Sequence, residues 1–231
     1  VAFRRVCIAL GFFCLVLFII QSPAASIDML SSFGGSSVDS FGDVAGNNPG
    51  GTTFGQTFVI HGSDAAAQNL TFMVRPYYPT TAPQQITFQA FIMAWSGSRP
   101  TGSVLFASSP LTTTGSTFAW ETFSLPLGGA LLQRDQNYVA FFTADNFLDG
   151  IRSDAGMAIN GNVYSEGTFV SHYGESGFNS LLTSDWSAPF GSSYDLAIKL
   201  DYQAVPEPSS ALILLFGLGA LPVWRRLKKQ R

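Results

Sequence analysis

ITFQAFIMAW, residues 86–95, is the stretch that decides the fold. Successive side chains of an extended strand point to opposite sides, so Ile86, Phe88, Ala90, Ile92 and Ala94 share one face and Thr87, Gln89, Phe91, Met93 and Trp95 the other. Both faces are partly apolar, which predicts a central strand covered on two sides. Working outward, similar short runs recur at 57–61, 69–76, 104–108, 117–125, 137–144, 155–159 and 196–202, each bounded by Gly, Pro, Asn or Asp. GGALLQ at 128–133 reads as a turn ahead of the next strand, and no long helix-period segment occurs outside the two ends. This spacing predicts an all-β domain over 53–203, an antiparallel β-sandwich of jelly-roll or immunoglobulin-like topology. Residues 27–52, which include SSFGGSSVDSFGDVAGNNPGG, are low in complexity and read as a Gly/Ser-rich flexible lead.

Charge is segregated along the chain. Charged residues make up only 12% of it, about half the usual globular share, and seven of the twelve Lys and Arg lie at the ends. Between residues 26 and 204 only Arg75, Arg99, Arg134, Arg152 and Lys199 stand against fourteen Asp and Glu. Binding to a phosphate backbone needs clustered cations, so this acidic body argues against nucleic acid as a partner. Cys7 and Cys14 both fall in the first apolar run, and removing that run leaves no thiol for a disulfide, a zinc site or a nucleophile.

The two ends carry addressing chemistry. Arg4 and Arg5 precede the apolar run VCIALGFFCLVLFII and then QSPAAS, the three parts of a secretory signal peptide over 1–26, with cleavage expected near 24–26 and the secretion machinery as partner. At the other end VPEPSSALILLFGLGALPVWRRLKKQR spans 205–231. Its stretch 209–224 predicts a short transmembrane helix: sixteen residues reach ~24 Å at the α-helical rise, against a ~30 Å hydrocarbon core. Arg225, Arg226, Lys228, Lys229 and Arg231 should remain cytoplasmic, which places the body on the far side of that membrane. Pro206 and Pro208 hold the preceding segment extended, and Glu207 resists entry into hydrocarbon, so the triplet should sit at the interface.

A Pro-Glu-Pro triplet, a short apolar helix with Gly217 and Gly219, and a basic tail together resemble the PEP-CTERM sorting signal of Gram-negative bacteria. The resemblance covers residues 205–231, and the stretches TFGQTFVI, FIMAWSGSRPTGSVLFAS and NYVAFFTADN loosely resemble the bodies of other PEP-CTERM proteins. It implies recognition of Pro206, Glu207 and Pro208 by an exosortase, a membrane-embedded processing enzyme. It further implies transient anchoring in the membrane and then a place at the cell surface or outside, among exopolysaccharide and biofilm matrix.

Catalytic constellations are not legible in the sequence. His61 reads as a turn residue and His172, in VSHYGESG, as a surface-loop residue, and no G-x-S-x-G elbow accompanies them. The expectation is therefore a non-enzymatic protein with no catalytic residues and no required cofactor, a structural or sugar-binding component of the matrix. The alternatives are an inner-membrane-anchored envelope protein whose tail is not cut, or a calcium- or glycan-dependent enzyme. Trp186 and Tyr173, in a Gly/Ser-rich loop region, are the candidate glycan contacts, whereas Trp95 and Trp120 read as core. Asp145, Asp149 and Asp154 in ADNFLDGIRSDAG are the candidate calcium ligands, with Asp43 or Asp195 approaching through the fold.

Overall fold

The computed structural model describes residues 24–43, 51–76, 85–115, 119–148, 153–173 and 177–205. Of the signal peptide expected over 1–26, residues 1–23 lie outside the described residues, as do residues 206–231 of the sorting signal expected over 204–231. Among those residues no helix is long and apolar enough to cross a membrane.

Alternating burial produces a run of antiparallel strands in chain order: β1 (Ala24–Asp28), β2 (Ser37–Asp43), β3 (Gly51–Val59), β4 (Ala65–Pro76), β5 (Thr87–Trp95), β6 (Pro100–Ala107) and β7 (Leu111–Thr112). Then follow β8 (Glu121–Leu132), β9 (Asn137–Thr143), β10 (Ser153–Gly161), β11 (Phe169–Tyr173), the single helix of the described residues, α1 (Phe178–Thr183), β12 (Tyr194–Leu196) and β13 (Lys199–Ala204). Hydrogen-bonded neighbours run β1-β13-β4-β10-β2-β3-β9-β5-β6, and β8, β12, β11 and β7 attach to β4, β10, β3 and β5. The sheet curls, and its inner face lines one core.

β5 sits where its sequence places it, between β9 on one side and β6 and β7 on the other. Ile86, Phe88, Ala90 and Ile92 enter the main core, with Ala94 packed against it. Phe91 and Met93 enter a second cluster on the outer face, with Trp95 packed against that one. The main core is built on phenylalanine. Phe72 lies 4.3 Å from Phe142, 5.4 Å from Phe123 and 6.0 Å from Phe88 between ring centroids, in tilted, stacked and edge-on contacts respectively that add to the area buried.

Three expectations change in the described residues. Residues 27–43 are built into the body: β1 pairs with β13, β2 pairs with β10 and β3, and Met29, Val38 and Phe41 are core residues. Together with Ile27 these few apolar side chains suffice because the sheet supplies the rest of the contact surface. GGALLQ does not end a strand. Gly128 and Gly129 take left-handed φ of 63° and 77°, and the strand bulges against β4 there and continues to the buried Leu132. The same positive φ that serves a turn serves a bulge, so the letters look alike. Finally, Trp120 precedes β8 and is not in a strand; it is half-buried, with Phe33 edge-on at 4.9 Å and the Arg75 guanidinium 4.8 Å over its ring.

Candidate functional site

The outer face of β3, β9 and β5 is covered by α1 and the segment after it. Gly55 in β3 makes that possible: a Cβ there would stand 2.9 Å from Val139, 3.1 Å from the Trp186 ring and 3.2 Å from Phe141. Trp186 fills the space. It is 8% exposed, its indole N–H donates to Leu181 O at 2.9 Å, and its ring lies edge-on to Trp95 and Phe141. A tryptophan whose one donor is satisfied inside the protein and whose faces are covered has nothing to offer a sugar, so the expected glycan contact at Trp186 is withdrawn. Tyr173 at the end of β11 is exposed, as expected. His172 is buried beside Trp186, because β11 pairs with β3 and turns this side chain onto the covered outer face; the surface-loop reading is corrected.

Among the described residues three aspartates are buried, Asp43, Asp145 and Asp195, and the last two differ in their partners. Asp195 is paired with Asn160 and accepts hydrogen bonds from Gln56 Nε2 at 2.9 Å, Val163 N at 2.8 Å and Tyr164 N at 2.9 Å. Gln56 closes the arrangement by accepting from Leu196 N at 2.8 Å. A polar Gln inside the otherwise small and apolar run TFGQTFV was the one signal in the sequence for this buried network. Asp195 is thereby used up in holding the 161–166 loop to β12, and it does not approach the Asp145 loop.

Asp145 is the other. It follows β9, is 6% exposed, and its Oδ1 has no hydrogen-bond partner among the described residues. Burial pushes its carboxyl up to about 6, against a hydrogen bond from Thr143 that works the other way. Thr143 Oγ1 accepts from Thr53 Oγ1 at 2.7 Å and from Asp145 N at 3.2 Å. Asp145 Oδ1 also occupies the space a side chain on Gly51 would need, 2.3 Å from where that Cβ would stand. Gly51 faces Asp43 across the β2–β3 ladder, and Asp43 faces Ser153 on β10. Opposed residues share a face, so the 6%-exposed Asp43 points to the side on which Asp145 lies. Of the other expected calcium ligands, Asp154 stands in β10 opposite Gly42, and Asp149 lies outside the described residues. Among the described residues no three His, Cys, Asp or Glu side chains gather closely enough to hold a metal.

His61 is exposed in the turn after β3, as its sequence predicts, and its Nδ1 and Nε2 lie 2.9 Å from Asp135 and 3.0 Å from Glu166. The Asp135 bond first, and then the charge of Glu166, raise its pKa above the usual histidine value. A cleft of about 560 Å³ opens between β6 and the end of β8, lined by Thr101, Gly102, Leu105, Leu131, Leu132 and Gln133, with Ala94 and Tyr138 from β5 and β9 and with Asp64 and Val205 at its rim.

No protein-family model matches the chain, and no curated protein sequence matches it. Among solved structures it is similar to the clostridial cysteine protease Cwp84 after propeptide cleavage, with a TM-score of 0.49 at 9% identity over 79% of this chain and 40% of that one. It is also similar to the cysteine protease and lectin-like domains of Cwp84, a surface layer associated protein of Clostridium difficile, with a TM-score of 0.42 at 9% identity over 67% of this chain and 32% of that one. The chain thus spans well under half the length of either. Likeness at this level carries no argument about activity.

Proposed function

We propose that this protein is exported, held briefly in the membrane by a PEP-CTERM tail, cut there by an exosortase-type enzyme and released to the cell surface or the surrounding exopolysaccharide. In that layer it acts as a non-enzymatic structural or sugar-binding component. On this reading the curled sheet is a β-sandwich with jelly-roll or immunoglobulin-like topology.

One observation carries the proposal: β13, the last strand of the described residues, is complete at Ala204, ahead of the triplet. Val205 N donates to Asp64 O at 2.7 Å, which ties the residue before Pro206 to the body. Pro206 has no N–H to continue the ladder. A handle joined there can be cut away without removing any strand of the body. At the other end, cleavage before Ala24 keeps β1 whole, whereas cleavage after Ser26 removes three of its five register pairs with β13. The reading therefore favours the earlier bond.

The test is the intact mass of the protein recovered from the culture medium and from membranes, in cells with and without the processing enzyme. The proposal expects trimmed protein outside in the first case and full-length protein in membranes in the second. Trimmed protein outside the enzyme-deficient cells overturns it, and a full-length tail in membranes of both favours the anchored envelope protein. For sugar contact Tyr173 remains the residue to change. Tyr173→Ala should weaken retention on the cell's own exopolysaccharide, and unchanged retention removes that assignment.

A further inference from the structure

We propose that the corner of the sheet formed by Asp43 and Asp145, against Gly51, is a calcium site. The inference is independent of how the tail is processed. Its starting point is the Asp145 oxygen that is buried and has no partner among the described residues. A buried acceptor left unused costs free energy, and a buried carboxylate left charged costs more. Protonation would remove the charge without giving Oδ1 a donor. A bound cation meets both needs at once.

The chemistry around Asp145 selects the cation. Asp43, itself 6% exposed, presents a second carboxylate on the same face, and the hydroxyls of Thr53 and Thr143 lie beside it. All are hard oxygen donors, which suit calcium or magnesium over zinc or copper. Two carboxylates supply at most four oxygens, leaving places for backbone carbonyls and water. Calcium tolerates such a mixed and irregular shell, whereas magnesium demands a near-ideal octahedron. Gly51 is part of the device: a side chain there would fill the space that Asp145 Oδ1 takes. With only two carboxylates, the affinity belongs to the weak class of extracellular modules, with Kd of about 10⁻⁴–10⁻³ M.

The experiment uses the full chain in detergent, stripped with EDTA, and follows thermal unfolding and isothermal titration with calcium chloride and, separately, magnesium chloride. The expected result is a saturable rise in Tm with calcium, half-complete in the millimolar range or just below, and a clearly smaller rise with magnesium. Asp145→Asn should abolish the calcium response while leaving the metal-free protein at least as stable as the parent. Asp43→Asn should weaken the response at least tenfold; if that variant does not fold, Asp145→Asn decides alone. Asp185→Asn removes an exposed acid elsewhere and should leave the response intact. The proposal fails if calcium does not shift the parent's Tm, if Asp145→Asn responds as the parent does, or if Asp185→Asn loses the response equally.

Discussion

Asp195 and Asp145 are both buried carboxylates in a sheet with few charges, yet one accepts three hydrogen bonds and the other leaves an oxygen with no partner among the described residues. The difference teaches what each is for. A fully satisfied carboxylate is a fastener: it ties the 161–166 loop and β12 to Gln56, and its charge is spread over N–H donors that cannot leave. The other is held by Thr143 through part of its carboxylate, and the oxygen left over is the one the proposed calcium would use.

The sharpest way to break this comparison is to remove each carboxylate and read the sign. Asp195→Ala strands Gln56 and two backbone N–H groups in the interior, and should cost about 3–5 kcal/mol in urea unfolding, the range for breaking a buried charged network. Asp145→Asn should do the opposite in metal-free buffer at pH 7. A carboxyl raised from 3.8 to about 6 makes the folded state weaker once ionised, by on the order of 3 kcal/mol, and the amide escapes that penalty. The sign follows from linkage. Below 3.8 the carboxyl is protonated in both states and costs nothing; between 3.8 and about 6 only the unfolded state ionises, so stability is lost across that window and levels off above it. Metal-free unfolding curves between pH 4 and pH 7 should show this decline, and saturating calcium should flatten it.

Smaller effects sharpen the contrast between the two faces of the sheet. Gly55→Val adds side-chain atoms to a space already closed by Val139, Trp186 and Phe141, and should cost about 1–3 kcal/mol, with a red shift of tryptophan emission as the Trp186 ring is displaced. His61→Gln should have the smallest effect. The histidine is exposed, and because its folded pKa lies above 6.5, whatever stability it lends is complete below 6.5 and lost as pH rises through the folded value. A difference between parent and variant that grew with rising pH would contradict its ion pairs with Asp135 and Glu166.

How far the sequence foretold these regions follows from the physics of each. β5 was legible on both faces because a strand covered on two sides must alternate between two apolar sets, and ITFQAFIMAW does so without interruption. β2 was not: SSVDSFGD carries only Val38 and Phe41, and their burial comes from neighbours far away in the chain. Trp186 was misplaced for a related reason. A Gly/Ser-rich surrounding reads as an exposed loop, but the residue that seats this ring is Gly55, more than a hundred positions earlier, whose missing Cβ leaves no trace in the local pattern around the tryptophan. Asp145 stood out in the sequence only as an acid in a turn-rich loop, and its burial was not legible there. Its companion could be fixed only by the β2–β3 register, which sets Asp43 against Gly51.

The pairing of β1 with β13 has a mechanical consequence. Ala24 stands opposite Gln203, so the first and last borders of the described strands lie side by side at the same rim of the sheet. Tension applied between those borders would open the β1–β13 hydrogen bonds one after another, as a zip opens, because antiparallel neighbours pulled from adjacent ends cannot share the load. A domain built this way resists stretching poorly along that line.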